Sequence, residues 1–219
     1  MSVLQLTTEY MIKVKICGIT NLEDAQIASK CGADALGFIF SKKSPRYIKK
    51  EAAKKIIDEL DPFLIKVGVF LDQEKEEVLD IAQYLNLDVL QFHGSETTNF
   101  CNSFKDKFKT IKVFFPQDRP FKKKIARFKV QAFLFDLPLK DKQKGQKSLS
   151  IQILKEISSL IKEGKRVIIS GGLNIKNITK IKKLLPYAVD VASGVEKMVG
   201  KKCENQVKSF IVKVKNLKL

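Results

Sequence analysis

The chain has 219 residues, 44% of them hydrophobic, with 41 Lys or Arg against 24 Asp or Glu and a formal charge of +17. That length supports one barrel-sized domain with a large core, and no apolar run is long enough to span a membrane, because Lys or Asp recurs throughout. His93 is the single histidine, which excludes a metal centre needing two imidazoles, and Cys17, Cys31, Cys101 and Cys203 have no paired metal-ligand spacing.

The first ten residues, MSVLQLTTEY, lack the basic start and long apolar run of a secretory signal. They read as an N-terminal extension, residues 1–10, ahead of a domain over 11–219 that opens at Met11. Apolar strand-like runs then alternate with helical patterns. The strands are expected near Val14 to Cys17, Ala35 to Phe40, Ile65 to Phe70, Val89 to His93, Thr110 to Phe115, Ala132 to Asp136, Val167 to Ser170 and Val189 to Ala192. Helices are expected over Leu22 to Cys31, Lys50 to Leu60, Glu74 to Leu85, Ile151 to Glu163, Ile175 to Leu184 and Glu204 to Val214, with weaker patterns over Asn99 to Lys107 and Pro120 to Phe128. Thr20 or Asn21 before Glu23 and Asp24 starts the first helix, and Gly32 after Cys31 ends it. Alternation of this kind means a parallel sheet, and eight units favour closure into an α/β (β/α)₈ TIM barrel over an open sheet.

The positive charge raises the question of nucleic acid. Its distribution argues against that partner: the arginines are Arg46, Arg119, Arg127 and Arg166 alone, and lysine, which lacks the bidentate guanidinium, supplies the rest in short scattered groups. Solvated lysine-rich faces are the simpler reading. The unpaired cysteines suit reduced thiols in a cytoplasm.

A barrel of this kind carries its chemistry at the C-terminal ends of its strands. Cys17 closes the first strand, His93 the fourth, Asp136 the sixth, Ser170-Gly171-Gly172 the seventh and Ala192-Ser193-Gly194 the eighth. The last two motifs, SGGLN and ASGVE, stand where the fold commonly holds a phosphate, so the small-molecule substrate is expected to carry one, met by the backbone at Gly171, Gly172, Ser193 and Gly194. Either motif alone reads equally as a tight turn using glycine for positive φ.

Free cysteine is usually a small buried hydrophobe, but Cys17 sits at the rim before Gly18 and a polar turn. Alternation puts Lys15 on the same face. A buried ammonium needs a partner, for which Asp190 on the last strand is the candidate, and a cation beside Cys17 favours the thiolate. Asp136 ends the apolar run AFLF, where partial desolvation suits a general acid; the alternative is a helix-capping aspartate. A thiolate base opposite a carboxylic acid suits proton transfer on a sugar, which is isomerase chemistry.

KVKICGIT, GADALGFIF followed by SPRYI, KVGVF, LDVLQFHG, SGGLN and VDVASGVE, in this order over Val14 to Lys201, resemble the phosphoribosylanthranilate isomerase family of tryptophan biosynthesis. The resemblance implies an Amadori rearrangement without cofactor or metal, with Cys17 as the base at the sugar C2 and Asp136 as the acid at the ring oxygen. It further implies Arg46 at the anthranilate carboxylate, which suits a guanidinium fork, and His93 and Asp190 lining the substrate. One region departs from the family's glycine-rich loop: after the sixth strand the chain reads DLPLKDKQKGQKSLSIQIL, with only Gly145 and four lysines between Lys140 and Lys147, whose side chains are expected to attract the phosphate. The competing readings are a different phosphosugar-barrel enzyme, and a barrel that has lost catalysis and binds nucleic acid through its lysines. Neither the sequence nor the resemblance fixes the oligomeric state.

Overall fold

The computed structural model describes residues 11–138 and 149–217. The expected extension over residues 1–10 and the lysines from Lys140 to Lys147 lie outside the described residues. Eight parallel strands close into a barrel in chain order: β1 (Lys13–Cys17), β2 (Ala35–Ile39), β3 (Ile65–Phe70), β4 (Val89–Phe92), β5 (Lys109–Phe114), β6 (Ala132–Phe135), β7 (Val167–Ile169) and β8 (Ala188–Val191). Closure is made by β8 against β1, where Val14 pairs with Val189 and Lys15 with Asp190.

Outside the barrel lie α1 (Leu22–Lys30), α2 (Lys50–Ile57), α3 (Lys75–Tyr84), α4 (Thr98–Asn102), α5 (Phe121–Ile125), α6 (Ile151–Lys162) and α7 (Glu204–Lys215). Asn21 is the N-cap of α1 and accepts from the Asp24 N–H, with Glu23 and Asp24 in the first turn where the helix dipole favours acidic groups. Ser150 caps α6 in the same way. Lys202 and Met198 belong to a short antiparallel hairpin, β9 (Glu196–Met198) with β10 (Lys201–Lys202), which the sequence pattern does not announce.

Most expected strands stop one residue later in the sequence reading than in the structure, and the reason bears on the site. His93, Asp136 and Ser170 each donate a last N–H to the neighbouring strand, to Phe70, Phe114 and Phe135 respectively. Their chain then turns away before the ladder continues, so each is half in the sheet and half in the mouth. The two weak helical patterns shrink to α4 and α5, single short turns. Aromatic contacts hold both against the barrel: Phe92, Phe100 and Phe104 pack at 5.2–5.5 Å between centroids, and Phe121 lies 4.8 Å from Phe135. The helix expected over Ile175 to Leu184 is instead a 3₁₀ segment, Ile178–Leu184, ended by Leu185 in the left-handed region at φ 46°. Its first turn is lost because Asn174 and Asn177 direct their side-chain amides back to the Gly172 carbonyl (3.2 and 2.9 Å).

Two apolar layers hold the structure. The larger lies between strands and helices and includes Val14, Ile16, Leu36, Phe38, Leu90 and Phe210. The smaller is the barrel interior, where Ile111, Val113, Ala132, Leu134, Ile168 and Ala188 pack together. Alternation along the strands carries this interior face up to Cys17, His93, Asp136, Ser170 and Asp190.

Candidate active site

The C-terminal mouth is a cavity of about 780 Å³. Cys17, Arg46, His93, Asp136 and Asp190 all line it, as do Gly172, Ser193 and Gly194. Gly171 stands behind it at φ 89°, its Cα side packed on Leu137 and Asp136.

The base side is built from β1, β2 and β8. Lys15 Nζ donates to Asp190 Oδ1 at 2.6 Å, both groups buried, and Ser170 Oγ donates to Asp190 Oδ2 at 3.3 Å. Gly37 of β2 pairs with Cys17, and a methyl group there would lie 2.7 Å from Sγ and 2.9 Å from Lys15 Nζ. The glycine of GADALGF is therefore the space in which the thiol and the ammonium sit. Burial alone would lower the Lys15 pKa, but Asp190 and Cys17 outweigh it and raise it, so the group is an ammonium.

Lys15 favours the thiolate as expected, but it does not decide the resting state. Burial pushes the Cys17 thiol above its ordinary value, Lys15 pulls it down, Asp190 pushes it up again, and the net direction is upward. Burial is the largest of these effects, so the resting group is the thiol. A thiolate formed there is a strong base because it is a costly one.

On the acid side, Asp136 follows β6 and its Oδ1 accepts from the Leu137 N–H at 2.6 Å. That contact lies within its own turn. Its Oδ2 lies 3.5 Å from His93 Nε2. His93 is held from the other side by Gln91, whose Nε2 is 3.2 Å from Nδ1, and its ring edge meets Phe115 at 5.6 Å between centroids. β6 stands three strands from β1 around the ring by way of β8 and β7, and the thiol and the carboxyl group line the same mouth from these separate strands.

Arg46 reaches the site from the loop after β2. Its side chain crosses directly over Gly18, where a Cβ would come within 2.5 Å of Arg46 Cδ, and Gly18 is in the left-handed region at φ 75°. The second residue of CGIT is thus a glycine for two reasons. Arg46 Nε and Nη2 donate to the two oxygens of Glu196 at 2.8 and 2.6 Å. Sequence reasoning missed Glu196 and also Lys202, which is buried and donates to Glu196 Oε1 at 2.8 Å and to the Cys17 carbonyl at 2.7 Å. It also missed the buried pair Lys112–Glu96, 2.9 Å, which fastens the turn after His93 through the Gly94 carbonyl and N–H. Position at a strand end gave no signal for Glu96, Glu196 and Lys202, which lie in a loop and a hairpin; for Lys112, inside β5, the only sign was charge in the apolar run TIKVF.

The two late loops interlock. A Cβ on Gly194 would fall 1.9 Å from the Leu173 carbonyl oxygen, so only glycine lets the loop after β8 rest on SGGLN. Asn174 of that motif holds its own turn through the Gly172 carbonyl.

A closed parallel barrel with ionisable side chains gathered at the carboxyl ends of its strands is the architecture of (β/α)₈-barrel enzymes. A family model described as N-(5'phosphoribosyl)anthranilate (PRA) isomerase matches residues 14–213. The chain belongs to that family. It is similar to the N-(5'-phosphoribosyl)anthranilate isomerase of Thermotoga neapolitana, 38% identical over 208 residues that cover 94% of this chain and 100% of the relative. The crystal structure of phosphoribosyl anthranilate isomerase from Thermotoga maritima superposes with a TM-score of 0.84 at 37% identity, covering 94% of this chain and 99% of that one. A third solved structure is described as phosphoribosyl anthranilate isomerase in complex with reduced 1-(O-carboxyphenylamino)-1-deoxyribulose 5-phosphate. It has a TM-score of 0.79 at 37% identity and the same coverage.

Proposed function

We propose that this barrel catalyses the Amadori rearrangement of N-(5-phosphoribosyl)anthranilate to 1-(2-carboxyphenylamino)-1-deoxyribulose 5-phosphate, the isomerisation for which its relatives are named. The observation that carries the reading is that Cys17 and Asp136, from strands three apart in the ring, line one cavity with the glycine loops of β7 and β8.

In this reading Asp136, oriented by His93 and its own turn, gives a proton to the furanose ring oxygen as the C1–O bond breaks and the nitrogen lone pair forms an iminium. Cys17, having first lost its thiol proton to solvent, then removes the proton from C2 as the thiolate, and the electrons of that C–H bond flow to the nitrogen to give an enolamine. Ketonisation completes the conversion. Each atom of the substrate is kept; only protons move, and no redox partner is required. The phosphate lies between SGGLN and ASGVE, against backbone N–H groups at Gly172, Ser193 and Gly194, and the anthranilate carboxylate meets Arg46. Asp190, through Lys15 and Ser170, keeps the floor beside Cys17 polar and fixed.

The domain over 11–219 acts as one catalytic unit in this account, in the cytoplasm where its free cysteines stay reduced. Among the described residues no helix is long and apolar enough to cross a membrane.

The test is complementation. A tryptophan auxotroph lacking this isomerase should grow without tryptophan when it carries the wild-type chain, and not when it carries the Cys17→Ser form at equal protein level. Failure of the wild-type chain, expressed and folded, would refute the assignment.

A further inference from the structure

Three charged groups beside Cys17 form a cluster that the acid–base pair does not use. Glu196 is the single carboxylate in it, and it faces two cations. The Arg46 fork takes both its oxygens, and Lys202 Nζ shares Oε1. Burial works against the ionised Glu196, yet the hydrogen bonds from Arg46 and Lys202 outweigh it and hold the carboxyl group below its usual range. Glu196 also holds Arg46 firmly in the guanidinium form. Lys202 is not a surface charge that drifted inward: its ammonium caps the carbonyls of Cys17 (2.7 Å) and Ala192 (3.3 Å), the last turns of β1 and β8. One carboxylate between an arginine and a lysine leaves the cluster with a net charge of +1 at the wall of the cavity.

From this geometry we infer that Glu196 is a positioning residue for recognition of the aryl carboxylate. It acts through Arg46, with Lys202 as the anchor that fixes Glu196 to the barrel rim. Glu196 engages the Nε and Nη2 side of the fork. That sets the guanidinium plane and leaves the Nη1 side for a second carboxylate, whose charge neutralises the cluster. A guanidinium on four rotatable bonds otherwise loses much of its binding energy to ordering. Gly18 underneath and the Ser44 Oγ, which accepts from the Arg46 N–H at 3.1 Å, complete the restraint. The arrangement makes the enzyme specific for an N-aryl group bearing an ortho acid, and ties that recognition through Lys202 to the backbone of the base.

The inference rests on the isomerase reading, and its test separates the two. Steady-state kcat and KM are measured for N-(5-phosphoribosyl)anthranilate and for the matching N-(5-phosphoribosyl)aniline, which lacks the carboxylate. The proteins are wild type, Glu196→Gln, Arg46→Met and the double variant. Glu196→Gln should lower kcat/KM for the carboxylated substrate by roughly tenfold or more, chiefly through KM, and change that for the aniline by less than about twofold. In the Arg46→Met background the same substitution should have no further effect. Titration with the reduced 2-carboxyphenylamino product analogue and its phenylamino counterpart gives the same comparison without turnover. Arg46→Lys, which keeps the charge and loses the fork, should also lose the preference and serves if Glu196→Gln does not fold. Equal losses on both substrates, or a Glu196→Gln effect that persists without Arg46, would overturn the inference while leaving the isomerase assignment intact. A wild-type protein that turns over neither substrate would overturn both.

Discussion

Lys15 and Asp190 stand opposite each other in the register that closes the barrel, and their side chains meet at 2.6 Å inside it. The seam between the first and last strands is therefore also the electrostatic floor of the site, since Cys17 is two residues along the same face from Lys15. Removing the lysine leaves a buried carboxylate without its partner. Lys15→Met should destabilise the protein by about 3–5 kcal/mol in urea unfolding. It should also shift the pH profile of Cys17 alkylation upward, because the cation that pulls the thiol down is gone while Asp190, which pushes it up, remains. An unchanged alkylation profile would remove Lys15 from the chemistry.

Gly37 tests the packing of the base without touching a charged group. Gly37→Ala places a methyl group 2.7 Å from Cys17 Sγ and 2.9 Å from Lys15 Nζ. The thiol has to move, and displacement of a reacting group by around an ångström costs on the order of 10²-fold in rate. The variant should keep its barrel by circular dichroism and lose most of its kcat.

The contact between the late loops makes a different prediction. A Cβ at Gly194 meets the backbone oxygen of Leu173 at 1.9 Å, and backbone cannot step aside as a flexible side chain can. Gly194→Ala should therefore part SGGLN from ASGVE. If phosphate sits between them, KM should rise by roughly tenfold or more with a smaller change in kcat, and inorganic phosphate should cease to compete. A purely structural role would lower the unfolding temperature without altering phosphate inhibition in the folded fraction.

Glu196 predicts an acid limb of stability. Its carboxyl group is held below the ordinary 4.5 in the folded protein. The contribution is fully present above that ordinary value and is lost as the pH falls through the lower folded value. Urea midpoints of wild type and Glu196→Gln should differ most near neutral pH and converge as the pH drops below 4.5 toward the lower folded value. A constant gap would mean that the stabilisation does not depend on ionisation.

How far the sequence speaks depends on whether the physics is local. Strands of a closed parallel barrel are covered on both faces, so FLF and VII read as apolar runs, and the first polar residue after each marks the mouth. His93 and Asp136 were legible for that reason, Cys17 as the last residue of its strand before Gly18, and Asp190, inside β8, as the partner a buried Lys15 needs. The pairing of Lys15 with Asp190 followed from alternation plus closure. What could not be read is long-range and off the strands. Lys202 meets the Cys17 carbonyl across 185 residues of sequence, from a hairpin whose sequence KMVGKK looks like solvated surface. The upward direction at Cys17 was equally hidden, because it depends on how deeply the thiol is buried and on the charge Asp190 returns. The 3₁₀ segment escaped notice because side chains of Asn174 and Asn177, not helical periodicity, decide its first turn.

The account stands or falls on the thiol at the end of β1 and the carboxyl group at the end of β6 acting as base and acid on one substrate. The direct measurement is turnover of N-(5-phosphoribosyl)anthranilate by purified wild type, Cys17→Ser and Asp136→Asn, with thermal unfolding recorded on the same samples. Each substitution should lower kcat by about 10²–10⁴-fold with the fold preserved. Either variant retaining kcat within about threefold of wild type, in a folded protein, would contradict the assignment.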